Sequence, residues 1–191
     1  MEQDSPAWQL KRAFDPFFPA PVEDWQSFAD LCTEKSWERD HVLKAAGEAE
    51  RYFYFILEGS IGVFLWRENH PVCLNFAFEG HFFGDYTSLL TGQPGPLEVM
   101  TLEKTRCLRI SREHYLALGQ TPEGSLLMRV AAESSLIAKQ QQQIDLLTKT
   151  AEQRYEEMMQ QRPDWVRRLP QKHLASYLGI TPQSLSRIRR G

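Results

Sequence analysis

The pattern of apolar positions divides the chain into a β-rich first part and a helical second part. Between residues 37 and 110, short apolar runs are separated by Gly, Pro, Asn and charged residues, which predicts strands and turns. In one run, alternate residues are apolar, and we expect that side of the strand to face the core. These residues are Val72, Leu74, Phe76 and Phe78. Many short strands with aromatic inward positions predict a barrel or jelly roll. The runs are RYFYFILEG, SIGVFLWRE, PVCLNFAFEG, PLEVMTLE and TRCLRI.

Helical spacing appears on both sides of the β-rich region. Before it, apolar residues recur every three positions and predict a short amphipathic helix that packs against the β-rich region. They are Val22, Trp25, Phe28 and Leu31. After it, the chain from Ser125 to about Gln161 contains no Pro or Gly and predicts one long helix. Pro163 should end this helix, because proline disfavours helical geometry in the residue before it.

The long helix carries an apolar stripe with a seven-residue repeat. The stripe consists of Val130, Ile137 and Ile144, with Leu147 three residues further on. Such a stripe can pair with a second copy of the chain or pack against the β-domain beside it. Gln140 and Gln141 interrupt the opposite seam, and polar residues there weaken a coiled coil but can also set its register. We favour a homodimer through this helix, with packing on the β-domain as the alternative.

The segment QKHLASYLGITPQSLSRIRR, residues 171–190, predicts two short helices joined by a tight turn. Leu174 and Leu178 form an inward stripe on the first helix, and the small Ala175 allows close approach of the second. Gly179 supplies the backbone conformation that ends the first helix. Thr181 is a good N-cap and Pro182 suits the first helical position, so the second helix follows at once. This arrangement is a helix-turn-helix.

The second of these helices has a polar, cationic outer face. Leu185 and Ile188 point inward, so the opposite side collects other residues at about 100° per residue. These are Gln183, Ser186, Arg187 and Arg190. Gln pairs with adenine and Arg with guanine in the major groove, while Thr181, Arg189 and the helix start can hold phosphates. The predicted partner is double-stranded DNA; a plain helical hairpin with a basic face is the alternative.

Charge is distributed unevenly along the chain. The formal net charge is −3, but residues 165–191 hold six basic and no acidic residues. Residues 1–164 hold 16 basic and 25 acidic residues, a net charge of −9. A basic end on an acidic body is typical of a phosphate-binding module whose remainder avoids non-specific adhesion to DNA. A solvated basic helix is the other interpretation of the same charges.

The segment LASYLGITPQSLSRIRR resembles the DNA-binding motif of the Crp/Fnr family of bacterial transcription regulators, especially the short form of Bacteroidetes-type bacteria. The resemblance implies that Gln183, Ser184 and Arg187 occupy the base-contacting positions, with Arg190 beside them. Only the short stretch DWVRRLP precedes the motif and Gly191 follows it directly. We therefore expect no winged arrangement with a β-hairpin.

The resemblance extends upstream to about residue 20. FILEGSIGVF and FEGHFFGDYTSLLTGQP resemble the cyclic-nucleotide-binding β-roll of the same family. By that resemblance, Gly84 and Asp85 match the ribose-contacting positions. The family's Arg-Ser/Thr-Ala triplet, which clamps the cyclic phosphate, is replaced here by Gly95, Pro96 and Leu97.

This replacement predicts that cyclic AMP is not the native effector. A buried phosphate needs a charged, preferably bidentate partner, which Gly-Pro-Leu does not provide. Glu98 would also repel an anion if it faced the pocket. Gly84, Asp85, Gly95 and Pro96 are the candidate pocket residues, and either another effector or an empty, purely structural β-roll remains open. Turn geometry alone also accounts for Gly59, Gly80 and Gly84.

The predicted fold class is α+β. A double-stranded β-helix of the jelly-roll, cyclic-nucleotide-binding-like type is expected over residues 1–122, a long dimerisation helix over 123–150 and the helix-turn-helix domain over 151–191. The N-terminus lacks the order of a signal peptide, and no apolar run approaches the ~18 residues of a membrane span. We expect a cytoplasmic protein without membrane contact.

Other functional classes have weaker support in the sequence. A cupin-like metalloenzyme needs clustered His and carboxylate ligands, and the five histidines show no HxH pair. No nucleophile elbow, Walker loop or Gly-rich nucleotide motif is present. Cys32, Cys73 and Cys107 predict buried thiols, with redox sensing as the alternative. We expect no enzyme, no catalytic residue, no metal and no cofactor. An interaction protein that uses the β-roll, with an incidental basic C-terminus, is the main competing hypothesis.

Overall fold

A computed structural model describes residues 5–68 and 70–190 of the chain. The helices are α1 (Pro6–Phe14), α2 (Val22–Asp30), α3 (Tyr86–Thr91), α4 (Arg112–Leu118), α5 (Pro122–Thr148), α6 (Ala151–Gln161), α7 (Pro163–Arg168), α8 (Gln171–Tyr177) and α9 (Pro182–Ile188). The strands are β1 (Cys32–Trp37), β2 (Val42–Lys44), β3 (Tyr52–Glu58), β4 (Ile61–Arg67), β5 (His70–Ala77), β6 (Phe82–Phe83), β7 (Leu97–Thr101) and β8 (Thr105–Ser111).

Two four-stranded antiparallel sheets form the β-roll within the described residues. Their strand orders are β1-β8-β3-β6 and β2-β7-β4-β5. Tyr54 and Ile56 of the first sheet pack on Ile61 and Val99 of the second, so the inward side chains of both sheets form the core of the roll. Helices α1 and α2 cover the other side of the first sheet. The predicted jelly roll is confirmed.

The predicted core face of β5 is wrong at one residue. Leu74 is 38% exposed, whereas its neighbour Cys73 is only 3% exposed. The pairing with β4 shifts here, since Val63 lies opposite Asn75 and Phe64 lies opposite Cys73. This β-bulge adds one residue to β5 and moves the alternation by one position. Cys73 therefore takes the core position that the alternating pattern assigned to Leu74.

The β-rich region also begins earlier than predicted. Strand β1 starts at Cys32 rather than near residue 37 and pairs along its length with β8. It lies at the edge of its sheet, and the residues between its two ends are exposed. Its sequence, CTEKSW, lacks the apolar alternation of a half-buried strand because little of it is buried. Helix α1, which begins at a Ser5 cap followed by Pro6, was not predicted either.

The single long helix predicted from Ser125 to Gln161 is two helices. Helix α5 ends at Thr148, and Lys149 is extended, with φ −114° and ψ 146°. Thr150 then starts α6 through a capping box with Gln153. The T-x-x-Q spacing of such a box is present in the sequence as TAEQ. The expected end at Gln161 is confirmed, and α7 begins at Pro163.

The C-terminal helices pack against the outer face of the second sheet. Phe64, Phe76 and Phe78 of the β-roll share one buried cluster with Leu174 of α8 and Leu185 of α9. In the described residues after Thr148, every regular element is a helix. The β-roll thus supports the helix-turn-helix directly and fixes which side of it faces outward.

Candidate nucleic-acid interface and β-roll cavity

Helices α8 and α9 form a compact corner. Leu174 and Leu178 are almost completely buried, and Ala175 is fully buried between the helices. Gly179 has φ +71°, a left-handed conformation that favours glycine, directly after the end of α8. The Ile180 N–H donates to the Ala175 carbonyl at 3.0 Å and closes the turn. The local structure predicted for this segment is confirmed.

The start of α9 is held by its own cap. The Thr181 hydroxyl oxygen accepts the backbone N–H of Ser184 at 3.1 Å, and Pro182 occupies the first helical turn. Leu185, one turn into the helix, is fully buried. Because an α-helix repeats every 3.6 residues, burial of Leu185 turns the side that carries residues 183 and 187 away from the core.

Most of the predicted DNA-contacting residues are exposed on α9 or next to its two ends. Gln183, Arg187 and Arg190 are exposed, while Ser184 is half-buried. The hydroxyls of Thr181 and Ser184 lie 3.1 Å apart and form a hydrogen bond, so both are engaged locally. The other predicted residue, Arg189, is exposed just after the helix. Their contacts with DNA stay predictions.

One of the six C-terminal basic residues, Arg168, links α7 to the β-roll. Arg168 pairs with Glu79 at 2.6 Å and with Glu103 at 2.7 Å, both from the β-roll. These carboxylates raise the pKa of the guanidinium above its ordinary value. The other five basic side chains form no ion pair with residues that the structure describes, and we call them the C-terminal basic surface. They are Arg167, Lys172, Arg187, Arg189 and Arg190.

Polar contacts also join the helix-turn-helix to the β-roll. The backbone N–H of Cys73, next to the bulge in β5, donates to the Ser176 hydroxyl of α8 at 2.9 Å. The buried imidazole of His173 lies 4.8 Å from the ring of Phe64, between ring centroids. Burial is the main cause that lowers the pKa of His173 to about 4. This face of the β-roll and α8 are therefore in direct contact.

The predicted dimer stripe lies on the outer side of α5. Ile137 is 69% exposed and Leu147 is 80% exposed, and Ile144 is also exposed, whereas Val130 is half-buried. The opposite side of α5 approaches the β-roll at Gln142, whose amide donates to the Leu74 carbonyl at 3.3 Å. The β-domain thus leaves most of the stripe uncovered. Pairing with a second copy stays a prediction.

A buried lysine fills the loop that corresponds to the predicted ligand pocket. The Lys44 ammonium lies 3.0 Å from the Asp85 carboxylate, and it also donates to the Gly95 and Leu97 carbonyls at 3.2 and 2.6 Å. All three ammonium hydrogens therefore have acceptors. Asp85 in turn caps α3 by accepting the Ser88 N–H at 3.1 Å.

The remaining predicted pocket residues lie around the same loop. A Cβ atom added to Gly95 would lie 2.7 Å from the Asp85 carboxylate, so this part of the loop is closely packed. Gly84 is half-buried and Pro96 is exposed. The sequence does not predict the role of Lys44 in this loop, because its hydrogen-bond partners lie 41 to 53 residues away along the chain.

A cavity of about 300 Å³ lies at one end of the β-roll, on the inner side of the first sheet. None of the four predicted pocket residues lines it, but three lining residues, Lys44, Glu48 and Glu50, form hydrogen bonds with their loop. Aromatic and cationic side chains form most of the wall. They include Trp37, Tyr52, Tyr54, His41, Arg51 and Arg109.

No helix in residues 5–68 and 70–190 is both long and apolar enough to span a membrane. Across the same residues, no three or more His, Cys, Asp or Glu side chains come together in a group that could hold a metal ion. Cys73 and Cys107 are buried free thiols, and Cys32 is a half-buried one.

A β-roll followed by a long helix and a C-terminal helix-turn-helix defines the class of this protein. The model of the cyclic nucleotide-binding domain family matches residues 34–121. The whole chain has the fold of the Crp/Fnr-type regulators, which confirms the resemblance seen in the sequence. No curated protein sequence matches the chain.

Solved structures of three regulators illustrate the match. The c-di-GMP responsive global regulator CLP of Xanthomonas campestris gives a TM-score of 0.69 at 13% identity, over 89% of this chain and 90% of CLP. FixK2 of Bradyrhizobium japonicum gives a TM-score of 0.66 at 20% identity, over 83% of each chain. The catabolite activator protein of Thermus thermophilus gives 0.55 at 20% identity, over 93% of this chain and 84% of the other. At these identities the similarity is one of fold.

Proposed function

We propose that this protein is a transcription regulator that binds double-stranded DNA sequence-specifically as a homodimer. The observation that carries the proposal is the outward face of α9, where Gln183 and Arg187 are exposed while Leu185 anchors the helix in the core. The fold supports this assignment, because its structural neighbours are regulators.

The reading face consists of side chains suited to base edges. Gln183 and Arg187 are four residues apart and therefore lie on one side of the helix. Arg donates two hydrogen bonds to guanine, and Gln exchanges two with adenine, in the major groove. Arg189 and the other members of the C-terminal basic surface outside this face are suited to phosphate contacts, which fix the register but carry no sequence information.

Dimerisation would place two such faces on one DNA duplex. The exposed stripe of α5 offers Ile137, Ile144 and Leu147 to the same stripe of a second copy, as an isologous contact requires. Two recognition helices about 34 Å apart would then meet successive major grooves of a pseudo-palindromic site. Because the two subunits are related by symmetry, each base-contacting residue would be used twice, once in each half-site.

Control by cyclic AMP does not form part of the proposal. The Lys44 ammonium already donates its three hydrogens to Asp85 and two backbone carbonyls, so none is left to donate to a phosphate. Gly95 and Pro96 provide no positive charge in its place. An effector in another part of the β-roll would act on α8 through the shared cluster and through the contact between Cys73 and Ser176.

The test is selection of DNA fragments from a random pool by the full chain, followed by titration of the selected site. Arg187→Ala should weaken binding to that site about tenfold to a hundredfold and relax the preference at one base pair in each half-site. Arg12→Ala is the matched control, because Arg12 is exposed on α1, which covers the other sheet. Equal affinity of the Arg187 variant and the wild type, or no selected sequence, would refute the proposal.

A further inference from the structure

Three turns of the β-roll meet at one side chain of α7. Arg168 donates two parallel hydrogen bonds to the Glu79 carboxylate, at 2.9 and 2.6 Å, and a third to Glu103 at 2.7 Å. Glu79 lies in the turn between β5 and β6, and Glu103 in the turn between β7 and β8. The same two carboxylates accept the Gly59 N–H and the Ser60 hydroxyl of the turn between β3 and β4. Arg168 therefore connects α7 to three turns at once.

Aromatic packing fixes the position of the Arg168 guanidinium. Its carbon atom lies 4.6 Å from the centroid of the Phe78 ring, which is buried. Trp165, one turn earlier on α7, stacks on Phe78 with ring centroids 4.7 Å apart and planes at 17°. A bidentate pair between planar groups also defines an orientation, unlike the point charge of a lysine. The contact between α7 and the β-roll is therefore specific in direction.

The charges of this cluster make Arg168 unsuited to a DNA phosphate. Burial opposes ionisation of Glu79, but the hydrogen bonds from Arg168 outweigh it and lower the pKa of this carboxyl group. One guanidinium with two carboxylates has a net charge of −1 at neutral pH, which repels phosphate. Arg167, the preceding residue, is exposed and forms no ion pair with residues that the structure describes. Two neighbouring arginines of α7 thus have different surroundings.

The directional contact of Arg168 adds to an apolar one. The buried cluster holds the C-terminal helices on the second sheet, but apolar packing is non-directional. Only Leu169 and Pro170 separate α7 from α8, and proline has a fixed φ, so α8 follows the orientation of α7. We propose that Arg168 is a positioning residue that holds the helix-turn-helix in one orientation on the β-roll and so sets the distance between the two reading faces of a dimer. This inference rests on the proposed function.

Binding to sites of altered half-site spacing tests the positioning role. One or two base pairs are added or removed between the half-sites of the selected DNA site. The wild type should lose affinity steeply, because two fixed reading faces then no longer meet both half-sites. Arg168→Gln should bind the native spacing at least about threefold more weakly and should lose less affinity when the spacing changes. A phosphate contact by Arg168 would instead weaken binding equally at every spacing, and this result would contradict the proposal.

Two further variants separate positioning from other roles. Arg167→Gln is the matched control on the same helix and should keep the steep spacing dependence of the wild type. Glu79→Gln removes the partner on the β-roll and should reproduce the effect of Arg168→Gln. The double variant should be little weaker than either single one, because each substitution already breaks the same contact. Additive effects, or wild-type spacing dependence in a folded Arg168 variant, would overturn the assignment.

Amide hydrogen exchange of the full chain without DNA distinguishes failure of this inference from failure of the proposed function. Arg168→Gln should speed exchange in residues 162–180 at least about tenfold relative to Arg167→Gln, because the contact with the β-roll opens more often. Arg168→Lys, which keeps the charge but not the fork, replaces the Gln variant if that does not fold and should have a smaller effect. A wild type that selects no DNA site would refute the proposed function, whereas unchanged exchange would refute the role of Arg168.

Discussion

His173 is a buried histidine between the β-roll and the helix-turn-helix. Its ring packs near Phe64, and its Nε2 atom is buried without a hydrogen-bond partner in the described structure. Burial and the neighbouring Lys172 and Arg39 lower its pKa to about 4, while Asp40 acts in the opposite direction. The folded protein therefore keeps this imidazole neutral in a range where an unfolded chain would protonate it.

We expect this residue to make stability depend on pH. Between about pH 6.5 and 4, His173 is protonated in the unfolded state but neutral in the folded state. The free energy of unfolding therefore decreases as the pH falls, by up to about 3 kcal/mol. His173→Phe removes the titrating group and should flatten this part of the profile. Urea denaturation of both proteins at pH 7 and pH 4.5 measures the difference. A wild-type protein that loses no more stability than the variant would disprove this role.

Helix α9 is anchored to the rest of the protein mainly by Leu185, with Ile188 packed beside it. Leu185 is fully buried in the cluster that joins the β-roll to the C-terminal helices. The N-cap at Thr181 and the turn at Gly179 are instead formed by residues close to them in the sequence. The position of the outer face of α9 therefore depends on the packing of Leu185 and Ile188, whereas the proposed base contacts involve Arg187 and Gln183.

Leu185→Ala should lower the free energy of unfolding by about 2 to 5 kcal/mol, because it removes buried methyl groups and leaves a cavity. Leu90→Ala, at an exposed leucine of α3, should cost less than about 1 kcal/mol. Urea unfolding curves give both values. Equal effects of the two substitutions would show that α9 is not anchored as described.

Helix α5 gives a second prediction at this scale. Replacing Ile137 and Leu147 together with Glu should convert a dimer into a monomer, because two charges would be buried without partners in the paired stripe. Ser135→Glu, on the same helix but about 200° around from Ile137, should leave the dimer intact. Sedimentation velocity distinguishes the two states. A wild-type protein that is already monomeric at micromolar concentration would contradict the dimer.

Local signals explain which elements could be predicted from the sequence. The turn at Gly179 and the cap at Thr181 depend on a few neighbouring residues, so their pattern predicts the helix-turn-helix correctly. The capping box at Thr150 was equally local but was overlooked. The bulge at Leu74 depends on pairing with β4, and the closure of the loop by Lys44 depends on residues more than 40 positions away. Periodicity carries no information on such contacts.

One interface joins the β-roll to the C-terminal helices. Arg168 reaches Glu79 and Glu103, and an aromatic cluster includes Phe78 stacked on Trp165 at 4.7 Å. A ligand that alters the β-roll therefore has a packed route to α8 and α9. The route is independent of which effector, if any, occupies the roll.

We expect cyclic AMP to leave the protein unchanged. The loop that would hold the phosphate is closed around Lys44, and opening it would break its ion pair with Asp85. Calorimetric titration with cyclic AMP should give no saturable heat, which corresponds to a dissociation constant weaker than about 1 mM. Micromolar binding would overturn this expectation and show that the loop opens.

The salt dependence of binding to the selected site tests whether α9 reads DNA in a dimer. Fluorescence anisotropy should show tighter binding to that site than to a scrambled duplex at every salt concentration. The logarithm of the binding constant should fall linearly with the logarithm of salt concentration, by about 0.9 for each phosphate contact. Arg187→Ala should narrow the difference between the two duplexes. Binding that is weak at low salt, insensitive to salt, or equal for both duplexes would contradict the account.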